Sequence, residues 1–440
     1  MAPGTLIEES DDVNGNGYRA SLHGTGETNG SNKATSISPI AAVLPSQQST
    51  SETDISSLVA HLSKKYSNPS LQVTPEHTIE LSDTPIPQPG PTEVLLHIKC
   101  SGICGSDMHL WKHGRIGPLI VKGRCVLGHE AAGVVLAAGD QVSTLRVGDR
   151  VAVEPGMPCH ECFLCRSGRY NLCESVRFCG VNEGCDGSIR RFMCHEARYC
   201  HLMPETMSWR QAALLEPLSV VMHAVSECEG RVALGRPALV CGAGPIGLIA
   251  LLAARASGAW PLAITDVDET RLDFARKLAP GVHTWKIDAA LTDVQNAEMV
   301  RKMFGCRGDR DVEQGVPDRD EYLAPQVVLE CTGIETSVAT AAYSCRRGGL
   351  VMVIGVGKSK MNNLPFMHMS LAEIQLKFIN RYRDTWPAAM NVLGEGRVLN
   401  LDPLVTHTFG LESAVEAMDT CADRSSGSIK IHIVDNIDVA

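Results

Sequence analysis

Two hydrophobic rhythms follow one another along the chain, after a stretch that has neither. Residues 1–70 are dominated by Ser, Thr, Asn, Gly and acids, as in "VNGNGYRASLHGTGETNGSNKATS". So little apolar surface does not offset the entropy of ordering, and a disordered tail is expected. From "LQVTPEHTIELSDTPIPQPGPTEVLLHIKC" through "EAAGVVLAAG" and "VGDRVAVEP", short alternating runs are broken by Pro and Gly. That pattern predicts short strands joined by turns, and 71–218 reads as a mostly-β domain. From about Pro217 an apolar run, a glycine turn and a helical repeat recur in "ALVCGAGPIGLIALLAARASGA", "LAITDVDETRLDFARKLAP", "QVVLECTGIETSVATAAYSCRRGG" and "LVMVIGVG". Strands alternating with helices predict an α/β domain over 219–373, a doubly wound parallel sheet covered on both faces. The polar stretch "GCRGDRDVEQGVPDRDEYLAP" within it is expected to be a surface loop. Shorter elements resume over 374–440 and end in a strand, "GSIKIHIVD".

Charge and composition exclude several classes. A formal net charge of −10 argues against a nucleic-acid partner, which calls for a basic surface. The apolar runs are interrupted by Gly and Pro and are too short to span a bilayer. The first residues carry Glu8, Glu9, Asp11 and Asp12 and no apolar core, unlike a secretory signal or an Arg-rich transit peptide, so the cytoplasm is the expected compartment. Thiols stay reduced there, and 17 cysteines then point to metal sites and buried thiols instead of disulfides.

Three residue sets carry candidate chemistry. In "VCGAGPIG", Gly242, Gly244 and Gly247, with Pro245 and Ile246 between them, form G-x-G-x-x-G between an apolar run and a helix. Such glycines let the backbone approach a pyrophosphate at a helix N-terminus. Asp266 ends the next predicted strand, where an acid accepts from an adenine-ribose hydroxyl. With Val267 after it and no adjacent arginine, NAD is expected over NADP. Arg271, one turn on, is a candidate to stack on adenine or hold phosphate, or is a solvated helix residue.

The second set is "CHECFLCRSGRYNLC", in which Cys159, Cys162, Cys165 and Cys173 can close a tetrahedral all-thiolate zinc site. Four protein ligands leave no open position, so this site is expected to be structural. Its rivals are chance clustering of free thiols and a nucleic-acid-binding zinc ribbon. The third set is scattered: Cys104 in "SGICGSD", His129 and Glu130 in "LGHE", and Glu216 in "LLEPLS". One thiolate, one imidazole and carboxylate around zinc would keep a position open for water or an alcohol oxygen.

Taken together with "CGICGSDMHLWKHGRIGPLIVKG", "LGHEAAGVV", "ECTGIETSVA", "RYRDTWP" and "LVTHTF", these motifs resemble the zinc-dependent medium-chain dehydrogenases, in their sorbitol/polyol branch. The resemblance runs from about Leu71 to Val434. It implies a GroES-like catalytic domain over 71–218, completed by 374–440, around a Rossmann domain, and a homotetramer. It also implies NAD and two zinc ions per subunit, with Cys104, His129 and Glu130 on the catalytic one. Glu216 is either a fourth ligand or an acid hydrogen-bonded to the zinc-bound water.

The implied reaction is oxidation of a secondary alcohol of a C5 sugar alcohol, L-arabinitol to L-xylulose, with xylitol or sorbitol as alternatives. Ser106 would carry the released proton outward, with His109 as a relay. Arg381 and Tyr382 would flank nicotinamide and substrate, and Ile354, Ile379 and Asn380 would border the cofactor. The chain departs from that pattern at Leu110, where an aromatic is usual, at Ile379–Asn380, where Gln-Tyr is typical, and at Arg383–Asp384, where Cys-Asn is typical. A threonine-type or simple-alcohol dehydrogenase would share the fold. A zinc-free quinone reductase would lack both metal sets, and a silent NAD-binding protein is expected to have lost Cys104 or His129.

Overall fold

The structure, a computed structural model, describes residues 52–439 except 118, 183, 313–315, 317 and 397. Six strands lie side by side in the order His283–Lys286, Leu262–Asp266, Ala238–Cys241, Val327–Glu330, Leu350–Val353 and Gln375–Phe378, all neighbours parallel. Numbered along the chain this is 3-2-1-4-5-6, the doubly wound order whose crevice opens where the strand order reverses. Ala238–Cys241, Val327–Glu330 and Leu350–Val353 are buried along their whole length. Continuous apolar runs of this kind suit strands covered on both faces, each fully buried Val or Leu contributing about 1.5–3 kcal/mol.

The second sheet runs Cys200–Leu202, Arg150–Val153, Glu130–Ala138, Glu93–Gly102, Lys430–Val434 and Val405–Gly410, with Phe192–Glu196 also paired to Glu93–Gly102. Lys430–Val434 is antiparallel to Glu93–Gly102, setting His432 opposite Gly102, and parallel to Val405–Gly410. The late part of the chain therefore returns into the middle of the early sheet. A continuous apolar core joins the two halves, running from Ala132, Ala152 and Met207 through Leu215 and Leu218 to Val240, Leu329 and Trp386.

Three expectations need correction. The tail was expected to reach residue 70. Residues up to 51 lie outside the described part, but Glu52–Lys65 is a helix that buries Ile55 and Leu62 against Ile86, Leu95 and Phe192. Two well-spaced apolar anchors suffice because a ready-made surface receives them. The α/β domain was expected to end at 373, yet Gln375–Phe378 is the sixth strand of its sheet. As an edge strand it is exposed at both ends, so it lacks the continuous apolar run that marks the inner strands. The expected division at 218/219 falls inside the helix Leu215–Glu227. The described residues of the polar stretch 305–325 form turns and one 3-10 turn, Glu321–Leu323, and are pinned by a buried ion pair of Arg301 with Asp318 at 2.7 Å.

Candidate active site and metal centres

Cys104 leaves the strand Glu93–Gly102 and caps the helix Gly105–His113. Asp107, the third residue of that helix, accepts from the Cys104 N–H at 2.8 Å and from the Gly128 N–H at 3.0 Å. It thereby ties the cysteine turn to the segment before His129. The C-x-x-D spacing was a readable capping-box signal that sequence reasoning passed over. Asp107 is fully buried, and its Oδ1 lies 3.8 Å from His129 Nδ1. His129 Nε2 faces Ser106 Oγ at 3.1 Å. The His109 ring lies tilted against that of His113 at 5.7 Å, and among the described residues no hydrogen bond links it to Ser106.

Thiol, imidazole and carboxylate of Cys104, His129 and Glu130 bring one ligand atom each within 4.8 Å of one another. The buried His129 Nδ1 has no hydrogen-bond partner. Burial disfavours a charged imidazole, but Cys104, Asp107 and Glu216 around it outweigh that and lift His129 to about 10. A buried pocket with this surplus of anionic groups suits a cation, and the donor set of sulfur, nitrogen and oxygen suits zinc.

Glu216 stands beside this group and not within it. Burial pushes its carboxyl up to about 7, and the nearby Tyr382 hydroxyl is buried with no hydrogen-bond partner among the described residues. Lys430, in the strand that returns late in the chain, is 3% exposed, pairs with Glu130 and donates to Ile103 O at 2.9 Å. Nothing in its sequence context, "SGSIKIHIV", signals that role. Arg381 lies over the Phe178 ring at 4.1 Å, and the His129 ring is tilted against it at 5.5 Å. Phe178, also missed from the sequence, thus lies next to both the candidate metal histidine and the candidate substrate arginine. Leu110 is 1% exposed within a hydrophobic core, so this departure from the family pattern fills packing space.

The four-cysteine comb folds into one cluster whose sulfurs all lie within 4.8 Å of one another. Cys162 and Cys165 Sγ are 3.5 Å apart, and Cys159 and Cys165 Sγ are 4.0 Å apart. A tetrahedron with Zn–S bonds of about 2.3 Å has edges of roughly 3.8 Å, so the set fits a zinc ion. Backbone N–H groups of Cys159, Cys162 and Cys165 point at sulfurs of the set, as thiolates require.

At the switch point of the parallel sheet, a cleft of about 480 Å³ is lined by Gly242, Gly244, Thr265, Asp266, Arg271 and Thr332, among others. Gly242 has φ +96°, and a Cβ there would press on Thr332 Cγ2 at 2.7 Å. A Cβ on Gly247 would collide with the Gly242 carbonyl, so the motif's third glycine allows helix and strand to approach. Pro245 and Ile246 begin the helix Pro245–Ala256, aimed at the cleft from Gly244. Asp266 accepts from the N–H groups of Ala243 at 2.6 Å and Asp268 at 2.9 Å, which ties the glycine turn to the acid. Arg424, from the C-terminal segment, also lines the cleft and was not foreseen. Ile354, Ile379 and Asn380 do not line it: Ile354 is buried, Ile379 packs on the core and Asn380 is exposed.

These two halves match known families. The alcohol dehydrogenase GroES-like domain family matches residues 90–205, and the zinc-binding dehydrogenase family matches 245–395. The chain is 48% identical over 346 residues to an L-arabinitol 4-dehydrogenase of Aspergillus oryzae, covering 79% of this chain and 87% of that protein. It is 41% identical over 356 residues to a sorbitol dehydrogenase of Bos taurus, covering 81% and 93%. Among solved structures, the L-idonate 5-dehydrogenase of Escherichia coli superposes with a TM-score of 0.71 at 26% identity, covering 84% of this chain and 98% of that one. A thiol, imidazole and carboxylate converging in the first half, a dinucleotide cleft in the second and matches of this extent across both place the chain in the zinc-binding dehydrogenase family, as an oxidoreductase.

Proposed function

We propose that the protein oxidises a C5 polyol, L-arabinitol to L-xylulose, with NAD as acceptor. The observation that carries this reading is the polar wall beside the candidate metal group. Glu216 and Tyr382 lie near each other in a buried setting, the Tyr382 hydroxyl has no hydrogen-bond partner among the described residues, and the Arg381 guanidinium lies alongside. A simple alcohol would leave these groups unpaired, whereas a polyhydroxyl chain satisfies them. When bound, zinc supplies Lewis acidity to an alcohol oxygen and NAD accepts the hydride.

Cys104, His129 and Glu130 would hold that catalytic ion, with Glu216 beside them, and Cys159, Cys162, Cys165 and Cys173 the structural one. Ser106 Oγ, hydrogen-bonded to His129, takes the alcohol proton toward solvent. Tyr382 and Arg381 orient the remaining hydroxyls, and Asp107 holds the Cys104 turn against the segment that carries His129. The same reading includes a homotetramer in the cytoplasm. Exposed Phe366, Met367, Leu371 and Phe378 beside the open sheet edge support assembly.

The test compares kcat/KM for L-arabinitol, xylitol, sorbitol and 2-propanol with NAD. L-arabinitol is expected to lead, with 2-propanol lower by about 10⁴-fold. Comparable rates on 2-propanol would remove the polyol pocket. A lead for sorbitol would move the substrate to the second reading, which the sorbitol dehydrogenase relative favours.

Cofactor choice is tested separately. Replacing Asp266 by Ser together with Val267→Arg removes a carboxylate that repels a 2′-phosphate and adds a cation for it. Val267 is 67% exposed at the cleft, so the new side chain has room. The NADP/NAD ratio of kcat/KM should rise, and an unchanged ratio would place ribose recognition elsewhere.

A further inference from the structure

The segment Asn380–Asp384 carries the arginine and tyrosine of the proposed polyol wall, and its backbone is unusual. Arg381 has φ +55° and Asp384 φ +51°, so two non-glycine residues sit in the left-handed region within four positions. Such conformations persist only where surrounding contacts hold them. Three of the contacts that hold this turn come from one place. Asn171 Nδ2 donates to Asn380 O at 2.8 Å, the Asp384 N–H donates to the Tyr170 hydroxyl at 2.7 Å, and Arg383 Nη1 reaches Gly168 O at 3.4 Å.

Gly168, Tyr170 and Asn171 all lie between Cys165 and Cys173, in the long interval of the cysteine comb. Tyr170 is itself fixed, donating to Glu154 Oε1 at 3.0 Å. Glu154 is buried and its other oxygen takes His201 Nε2 at 2.7 Å, while the His201 ring stacks on Trp386, just beyond the turn.

We infer that Tyr170 and Asn171 are positioning residues for polyol recognition: the cysteine-comb loop clamps the Asn380–Asp384 turn and so sets where Arg381 and Tyr382 present their polar groups. The four-sulfur cluster then shapes the substrate wall as well as its own loop. The inference rests on the reading of Arg381 as a polyol-binding residue.

The test uses full-length, zinc-replete Tyr170→Phe, with Asn171→Ser as the second variant, and the double variant Tyr170→Phe/Arg381→Ala. Losing one such hydrogen bond should raise KM for L-arabinitol about five- to tenfold, with a smaller change in kcat. NADH affinity, read by fluorescence without polyol, should stay within about twofold of the parent. The expected content is that of the parent protein in zinc, because no sulfur is touched. If Tyr170 acts through Arg381, the double variant should lose little beyond Arg381→Ala alone, whereas a merely structural contribution would add in full. Additive losses, or Tyr170→Phe and Asn171→Ser variants with parental KM, would overturn the clamp while leaving the polyol site standing. An Arg381→Ala enzyme with parental kcat/KM on polyols would overturn both.

Discussion

Cys162→Ser should yield protein with about one zinc fewer per subunit and a melting temperature lower by about 10 °C or more. The cluster is built for a closed tetrahedral shell, with Cys162 also capping the short helix Phe163–Arg166 and accepting from Cys165 N–H. Metal bound only by the folded state contributes its binding free energy to folding, about 10–16 kcal/mol for structural zinc in small domains. Losing about 4 kcal/mol of it gives the stated drop, at about 2–4 °C per kcal/mol for domains of this size. Zinc analysis and calorimetry decide the matter. Full zinc and an unshifted transition would show that the comb is a set of free thiols. Because the loop also holds the Asn380–Asp384 turn, whatever enzyme survives should show the higher polyol KM of the Tyr170 variant.

The second large effect belongs to Lys430. Lys430→Met keeps most of the side-chain volume and deletes the ammonium that pairs with Glu130 and donates to Ile103. The carboxylate that remains is 1% exposed and shares its surroundings with Glu216. Removing one partner of a buried pair typically costs about 3–5 kcal/mol, since the other charge is left uncompensated. The expected result is a marked loss of thermal stability in metal-stripped protein and a smaller loss with zinc added, because a divalent ion offsets the orphaned charge. Equal losses with and without zinc would show that Glu130 does not face the metal; no loss at all would show that the pair carries no stability.

Much of this was legible in the chain, and the physics explains which parts. The inner strands of the parallel sheet are buried on both faces, so "ALVC", "VVLE" and "LVMV" announce themselves as apolar runs. The edge strand Gln375–Phe378 has exposed ends and does not. The glycine turn, Asp266, the comb and the Cys104–His129–Glu130 set were readable because backbone approach and metal ligation restrict residue type at fixed spacing. Lys430, Phe178 and Arg424 were not, since a buried cation, an aromatic ring and an exposed arginine take their meaning only from partners brought close by the fold. The order of the helix Glu52–Lys65 was equally hidden, because Ile55 and Leu62 count as anchors only once Leu95 and Phe192 have formed a surface for them.

The returning strand Lys430–Val434 also bears on the order in which the protein can be made. Its neighbours on the two sides are Glu93–Gly102, synthesised far earlier, and Val405–Gly410. On the ribosome, the α/β unit between them can close as soon as its own strands have emerged, whereas the earlier β strands must wait with an open edge for a partner more than three hundred residues downstream. Contacts of such sequence separation form slowly, and exposed edges invite pairing with other chains. Nascent chains halted before Lys430 should therefore carry a folded dinucleotide unit beside an aggregation-prone first domain, and the charge that balances Glu130 arrives with the very strand that ends the exposure.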